Sequence, residues 1–236
     1  MHLNDHHGVA SLLIGSVFDV QVCDQAGPLP GANLEARLDF LNADIRGFYS
    51  HTLASSRLPK LKLDSFHGPG FAELRGPLVK AANTRGIIPY TVALQTRAVA
   101  CNPTDDNKHA LKCTKAMNRL LDVLYRGDYF LSQADVDVVA MQCFKIGIHY
   151  QWLALDARTN GVARWAQRPK LHLLVGHIPS QARLINPVRV QGYVNESMVG
   201  TVANIYKKSM KGPHHAISAG VVMRKYCTGL ALDWMP

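Results

Sequence analysis

From Ala157 to its last residue the chain gathers cations around very few acids. Arg158, Arg164, Arg168, Lys170, Arg183, Arg189, Lys207, Lys208, Lys211, Arg224 and Lys225 fall in this stretch, opposed by Glu196 and Asp233. Eleven against two equals the +9 formal charge of the whole chain, so the residues before Ala157 are balanced. Cations concentrated in this way attract phosphate backbones, because each phosphate contact releases condensed counterions. Arg183, Arg189, Lys207, Lys208 and Lys211 are the candidate phosphate contacts, and His172, His177, His214 and His215 would add charge at mildly acidic pH. Glu196 follows Asn195, a residue type that caps helices. Two readings of Glu196 stand. A carboxylate in a first helical turn is favoured by the helix dipole. A carboxylate amid phosphate-binding cations is also what metal-assisted phosphoryl transfer needs, though one carboxylate cannot build a two-metal site.

Other reactive residues carry weaker patterns. His2, Asp5, His6 and His7 are metal-capable by type but sit near a terminus, and His214-His215 lies in a Gly-Pro loop. Cys143 and His149 are six residues apart, which puts them on different faces of a helix and excludes a local nucleophile–base pair. Trp152, Trp165 and Tyr193 have faces on which bases could stack, or they pack in a core. The glycine patterns of phosphate-binding loops, dinucleotide folds and hydrolase elbows are absent from the sequence. Five widely spaced cysteines, Cys23, Cys101, Cys113, Cys143 and Cys227, form no CxxC pair. An odd, scattered set argues against a disulfide framework or a zinc ribbon and suits a reducing compartment, nuclear or cytoplasmic rather than secreted.

Pro169-Lys170-Leu171-His172-Leu173-Leu174, then His177-Ile178, Asn186-Pro187, and Asn195-Glu196-Ser197 with Gly200 resemble the closing segment of CACTA-type and related eukaryotic DDE transposases. In that family a Pro-Lys-x-His run with a second His precedes a helix bearing the third catalytic acid. Met1-His2, Gly8 and the apolar run after them are similar to the family's Asp-x-x-His stretch, whose Asp would precede Met1; Asp5 is displaced from that place. The resemblance implies a helical insertion followed by the last catalytic helix of an RNase H-like core. It makes Glu196 the third acid and a Mg2+ ligand. It also implies an incomplete acid set, hence a transposase-derived fragment that binds DNA and is inactive by itself. A different class of function is a non-catalytic helical protein whose basic face binds RNA or an acidic protein.

These residues must be positioned by a chain of 236 residues, 47% hydrophobic and 18% charged, which is globular in class. We expect an all-α fold with at most one short extended segment, as a single domain: residues 1–160 a near-neutral helical half, residues 161–236 a basic part. No apolar run reaches the roughly 18 residues of a membrane span. Helical spacing over 8–22 predicts a first helix. Asn33 caps a second, with Leu34, Leu38, Leu41, Ile45 and Phe48 as its stripe. Residues 53–70 form an irregular connector. Pro77 and Pro89 should kink the apolar stretch 71–100 or split it into short helices. Lys108 to Arg126 is amphipathic, and Ser132 with Asp135 starts a helix to about Ala157 with Val136, Val139, Ala140, Phe144, Ile148 and Trp152 inward. The last two helices make a hairpin. Residues 170–178 read as helix, 188–194 as extended, and helices follow Asn195 and Ala216.

Overall fold

The computed structural model describes residues 8–24, 27–52, 56–75 and 81–189. The chain divides into two compact units near residue 189, and all the described residues belong to the larger one. That unit is all-α: among the described residues there is no strand. Helix α1 spans Val9–Cys23, α2 Leu34–Ser50, α3 Ala81–Cys101, α4 Asp105–Arg126 and α5 Gln133–Thr159. Two short helices, α6 (Pro169–His172) and α7 (Ile178–Ala182), flank a π turn at Leu173–His177. None of the described helices is long and apolar enough to cross a membrane.

The helix ends follow the local chemistry. The Asn33 side chain accepts from Ala36 N at the start of α2. Thr104 accepts from Asn107 N and Ser132 from Asp135 N. These caps satisfy amides that have no intrahelical partner. Helix α5 ends in a Schellman motif: Gly161 takes φ +67°, Val162 N donates to Ala157 O and Gly161 N to Arg158 O. The expected hairpin is α4–α5; α3 packs on α4, α1 on α3, and the π turn with α7 on α5.

Helix α1 is the centre. Val9, Ala10, Leu12, Leu13, Ile14, Val17 and Phe18 are all buried, and so are Ser11, Ser16, Asp19 and Gln21 between them. A helix buried on every side shows no clean stripe in its sequence. Residues 71–75 cross α1 as an extended segment. Leu74 N donates to Ser11 O, and the Ser16 hydroxyl donates to Ala72 O. Gly15 makes the crossing possible, since a Cβ there would lie 2.3 Å from the Glu73 backbone.

Two expectations are corrected. Pro89 does not split its stretch: α3 runs through it from Ala81 to Cys101. The proline is exposed and removes one backbone donor, while Ile87, Ile88, Tyr90 and Leu94 beside it are fully or nearly fully buried and keep the helix continuous; Pro77 lies outside the described residues. The inner face of α5 is also rotated from the expected one. Val136 and Val139 are buried as expected, but Cys143, Ile146, Tyr150 and Leu153 continue the face. Phe144 and Ile148 are exposed. With apolar residues all around α5, periodicity could not choose between these faces. The π turn between α6 and α7 agrees with the helical reading of 170–178; most of the expected extended piece at 188–194, and the helices after Asn195 and Ala216, lie outside the described residues.

Candidate functional site

Ser11, Gly15, Asp19 and Cys23 are spaced by four along α1 and so share one ridge. The extended segment 72–74 lies against the first half of that ridge. Ahead of it in the chain, Leu63–Ser65 forms a single 3-10 turn, and the next residues bring His67 onto the second half. Phe66, fully buried edge-on to Phe18, anchors that turn.

His67 Nδ1 lies 2.5 Å from Asp19 Oδ1. Cys23 Sγ is 3.4 Å from the same oxygen and 3.7 Å from the same nitrogen. This is the one group of three metal-capable side chains that converges among the described residues. Asp19 is buried, its side chain 5% exposed, while the His67 side chain is half exposed. The second Asp19 oxygen accepts from Arg164 Nε at 2.6 Å. The rest of that guanidinium forms a fork on Asp24, with both Nη–O distances 2.8 Å. Burial works against charge on Arg164, but the hydrogen bonds it donates to Asp24 and Asp19 outweigh it and raise its pKa above the ordinary value.

Arg164 reaches this place through a pinned segment. After the Schellman turn, Ala72 N donates to Ala163 O, and the Tyr150 hydroxyl donates to Ala166 O at 3.0 Å. Trp165 between them takes a left-handed φ of +55° and is buried, with its N–H donating to the Ser16 hydroxyl. A bulky residue in that region costs about 1–3 kcal/mol, which the surrounding contacts must offset.

The geometry excludes a cysteine–histidine nucleophile. Such a dyad orients one ring nitrogen with a carboxylate and uses the other as base. Here the thiol and the carboxylate meet the same nitrogen. Burial, then the Asp19 charge, also pushes the Cys23 thiol up to about 12, so by itself it stays protonated.

Next to the cluster lies a cleft of about 180 Å³, walled by Asp24, Asp106, Asp156, Asn107, Gln95 and Arg164 among others. Asp106 is raised to about 6, by burial first and then by the Asp156 charge and a hydrogen bond with that side chain. Gln95 is fully buried, and among the described residues neither its Oε1 nor its Nε2 has a partner. On the other side of α4 and α5, His109 stacks on Trp152 with ring centroids 4.1 Å apart, and its Nδ1 is 3.2 Å from His149 Nδ1. Burial lowers both imidazoles, which favours neutral rings.

The residues singled out from sequence fall differently. Arg183 is exposed at the end of α7. Arg189 is exposed, with Nε and one Nη donating to Gly127 O. Glu196, Lys207, Lys208 and Lys211 lie outside the described residues, as do His2, Asp5, His6, His7, Tyr193, His214 and His215. Trp165 is buried core. Sequence reasoning missed the cluster on α1. Its one signal there is Asp19-x-x-x-Cys23 at helical spacing; His67 sits in an irregular connector that no periodicity reaches. Comparison of the chain with protein-family models, curated proteins and solved structures finds no match.

Proposed function

We propose that this chain binds nucleic acid, DNA first, through its basic C-terminal third, as a transposase-derived fragment without a complete catalytic acid set. The charge distribution carries the reading: eleven cations against two acids after Ala157, and balance before it. Ion pairs in the described body support it. Asp39 holds Lys60, Asp44 holds Arg97, and Asp122 holds Arg119. The acids of the first half also draw in two cations of the basic third: Arg164 goes to Asp19 and Asp24, and Arg168 to Glu73. Exposed Arg158 and Arg183, with Lys207, Lys208, Lys211, Arg224 and Lys225, are then the cations that phosphates would meet. In this reading Glu196 is the remnant third acid and the one residue with a Mg2+ role, too little for strand transfer.

Anisotropy of a labelled duplex titrated with the full chain at rising salt tests this. Affinity should fall steeply and linearly on a log–log plot. Replacing Lys207, Lys208 and Lys211 together by alanine should reduce the slope by about 2–3, at roughly 0.9 per lost phosphate contact. An affinity indifferent to salt, or to the triple substitution, would end the proposal. Equal or tighter binding of single-stranded RNA would move it to the RNA-binding class.

A further inference from the structure

We propose that Asp19, Cys23 and His67 form a binding site for a zinc-class divalent ion, independent of any nucleic-acid role. The donor set selects the ion. One carboxylate oxygen, one thiolate sulfur and one imidazole nitrogen suit a borderline-soft metal such as Zn2+ or Co2+, whereas Mg2+ and Ca2+ take oxygen ligands.

The spacing of the donors fits. Around tetrahedral zinc, with bonds of about 2.3 Å to sulfur and about 2.0–2.1 Å to nitrogen and oxygen, donors stand roughly 3.3–3.7 Å apart. Cys23 Sγ is 3.4 Å from Asp19 Oδ1 and 3.7 Å from His67 Nδ1. The third edge, His67 Nδ1 to Asp19 Oδ1, is 2.5 Å, a hydrogen bond that the ion would replace. His67 must then withdraw by somewhat less than 1 Å, and its half-exposed side chain in a connector can do so.

Two ligands are rigid. Asp19 and Cys23 lie one turn apart on a helix most of whose residues are buried, Asp19 almost fully and Cys23 in part. The carboxylate is oriented from behind, because Arg164 Nε holds Oδ2 and leaves Oδ1 for the ion. Such outer partners orient metal ligands, and losing one weakens binding about 10–100-fold. Charge also matches. When the ion displaces the Cys23 proton to solvent, Asp19, Asp24 and the thiolate against Arg164 leave two negative charges for a divalent cation. Water completes the fourth position. The ion would tie the last turn of α1 to the connector that carries His67.

The full chain, reduced and stripped of metal, is titrated with Co2+ and followed by absorption. We expect one equivalent to bind with a thiolate-to-cobalt charge-transfer band and tetrahedral-strength visible bands, displaced by Zn2+. Cys23→Ser should abolish the charge-transfer band. Cys101→Ser, which removes an exposed thiol on α3, should leave it unchanged. His67→Gln, at a half-exposed position, should bind at least tenfold more weakly while keeping the helical circular dichroism. It serves as the deciding variant if Cys23→Ser fails to fold. Absence of a thiolate band in the wild-type chain overturns the proposal, and so does a band that persists in Cys23→Ser or an affinity unchanged in His67→Gln.

Discussion

Asn186 stands before Pro187, in one of the pairs that carry the transposase resemblance, and its place in the fold gives it a structural duty. It is fully buried. Its Nδ2 lies 2.8 Å from Leu124 O, 2.9 Å from Asp128 O and 3.2 Å from Gly127 O, and its Oδ1 accepts from Val188 N. Its own N–H donates to Tyr129 O. The last carbonyls of a helix lack intrahelical donors, so one amide here closes the end of α4 and the turn into α5. Asn186→Ala should therefore cost about 2–3 kcal/mol, as buried carbonyls lose their donor. Asn186→Asp keeps the shape but turns an acceptor toward carbonyl oxygens, so it should cost at least as much. Urea denaturation of both variants checks the order; an aspartate variant near wild type would show that the amide is not the donor these carbonyls depend on.

Elements in this protein are placed by contacts that no single helix announces. Gly15 and Gly47 are both helical glycines, and by helix propensity alone each should gain about 0.5–1 kcal/mol from alanine. At Gly47, on the exposed side of α2, nothing lies within 4 Å of a new Cβ, so Gly47→Ala should raise the melting temperature. At Gly15 the Cβ would meet the Glu73 backbone at 2.3 Å, and Gly15→Ala should destabilise by about 3 kcal/mol or more, the upper range of overpacking. Thermal unfolding of the pair separates the two environments; equal shifts would mean that residues 72–75 do not press on α1. The same distinction marks what was legible in the sequence. Two caps were legible, since Asn33 and Ser132 act on amides three residues away; Thr104, which starts α4 at Asp105 rather than at the expected Lys108, was not. The α4–α5 hairpin was legible because its turn is short and α4 is strongly two-sided. The inner face of α5 and the unbroken run of α3 through Pro89 were not, because packing partners distant in sequence decide both. The metal-capable cluster was half legible for the same reason: one turn of helix supplies Asp19 and Cys23, but His67 is 44 residues beyond Cys23.

At the scale of the whole molecule, charge is sorted rather than spread. Before Ala157 positive and negative side chains balance, and several acids of that part, Asp39 and Glu73 among them, pair with cations, from Lys60 to Arg168. Where the first turn of α4 meets the last turns of α5, two acids meet instead: Asp106 faces Asp156. Asp106 gains from the N-terminal end of its helix dipole, whereas Asp156 sits near a C-terminal end that disfavours an anion. A carboxyl whose pKa the fold raises stabilises fully below its unfolded value, and that contribution is lost as pH climbs through the folded value, here about 6 for Asp106. Above that pH both carboxylates are charged and repel. Asp156→Asn removes the repulsion and the unfavourable dipole contact, and its amide oxygen can still accept from Asn160 Nδ2. The variant should be more stable than wild type by about 1 kcal/mol at pH 8, a figure kept small because Asp106 is only partly buried and its solvent-facing surface lets water screen the pair. The gain should shrink as pH falls through 6 and be smallest near pH 4, where wild-type Asp106 carries its proton. Denaturation midpoints of the two proteins measured from pH 4 to 8 give the difference directly. A gain that does not change with pH would assign the effect to the helix dipole and leave the Asp106–Asp156 contact without energetic weight.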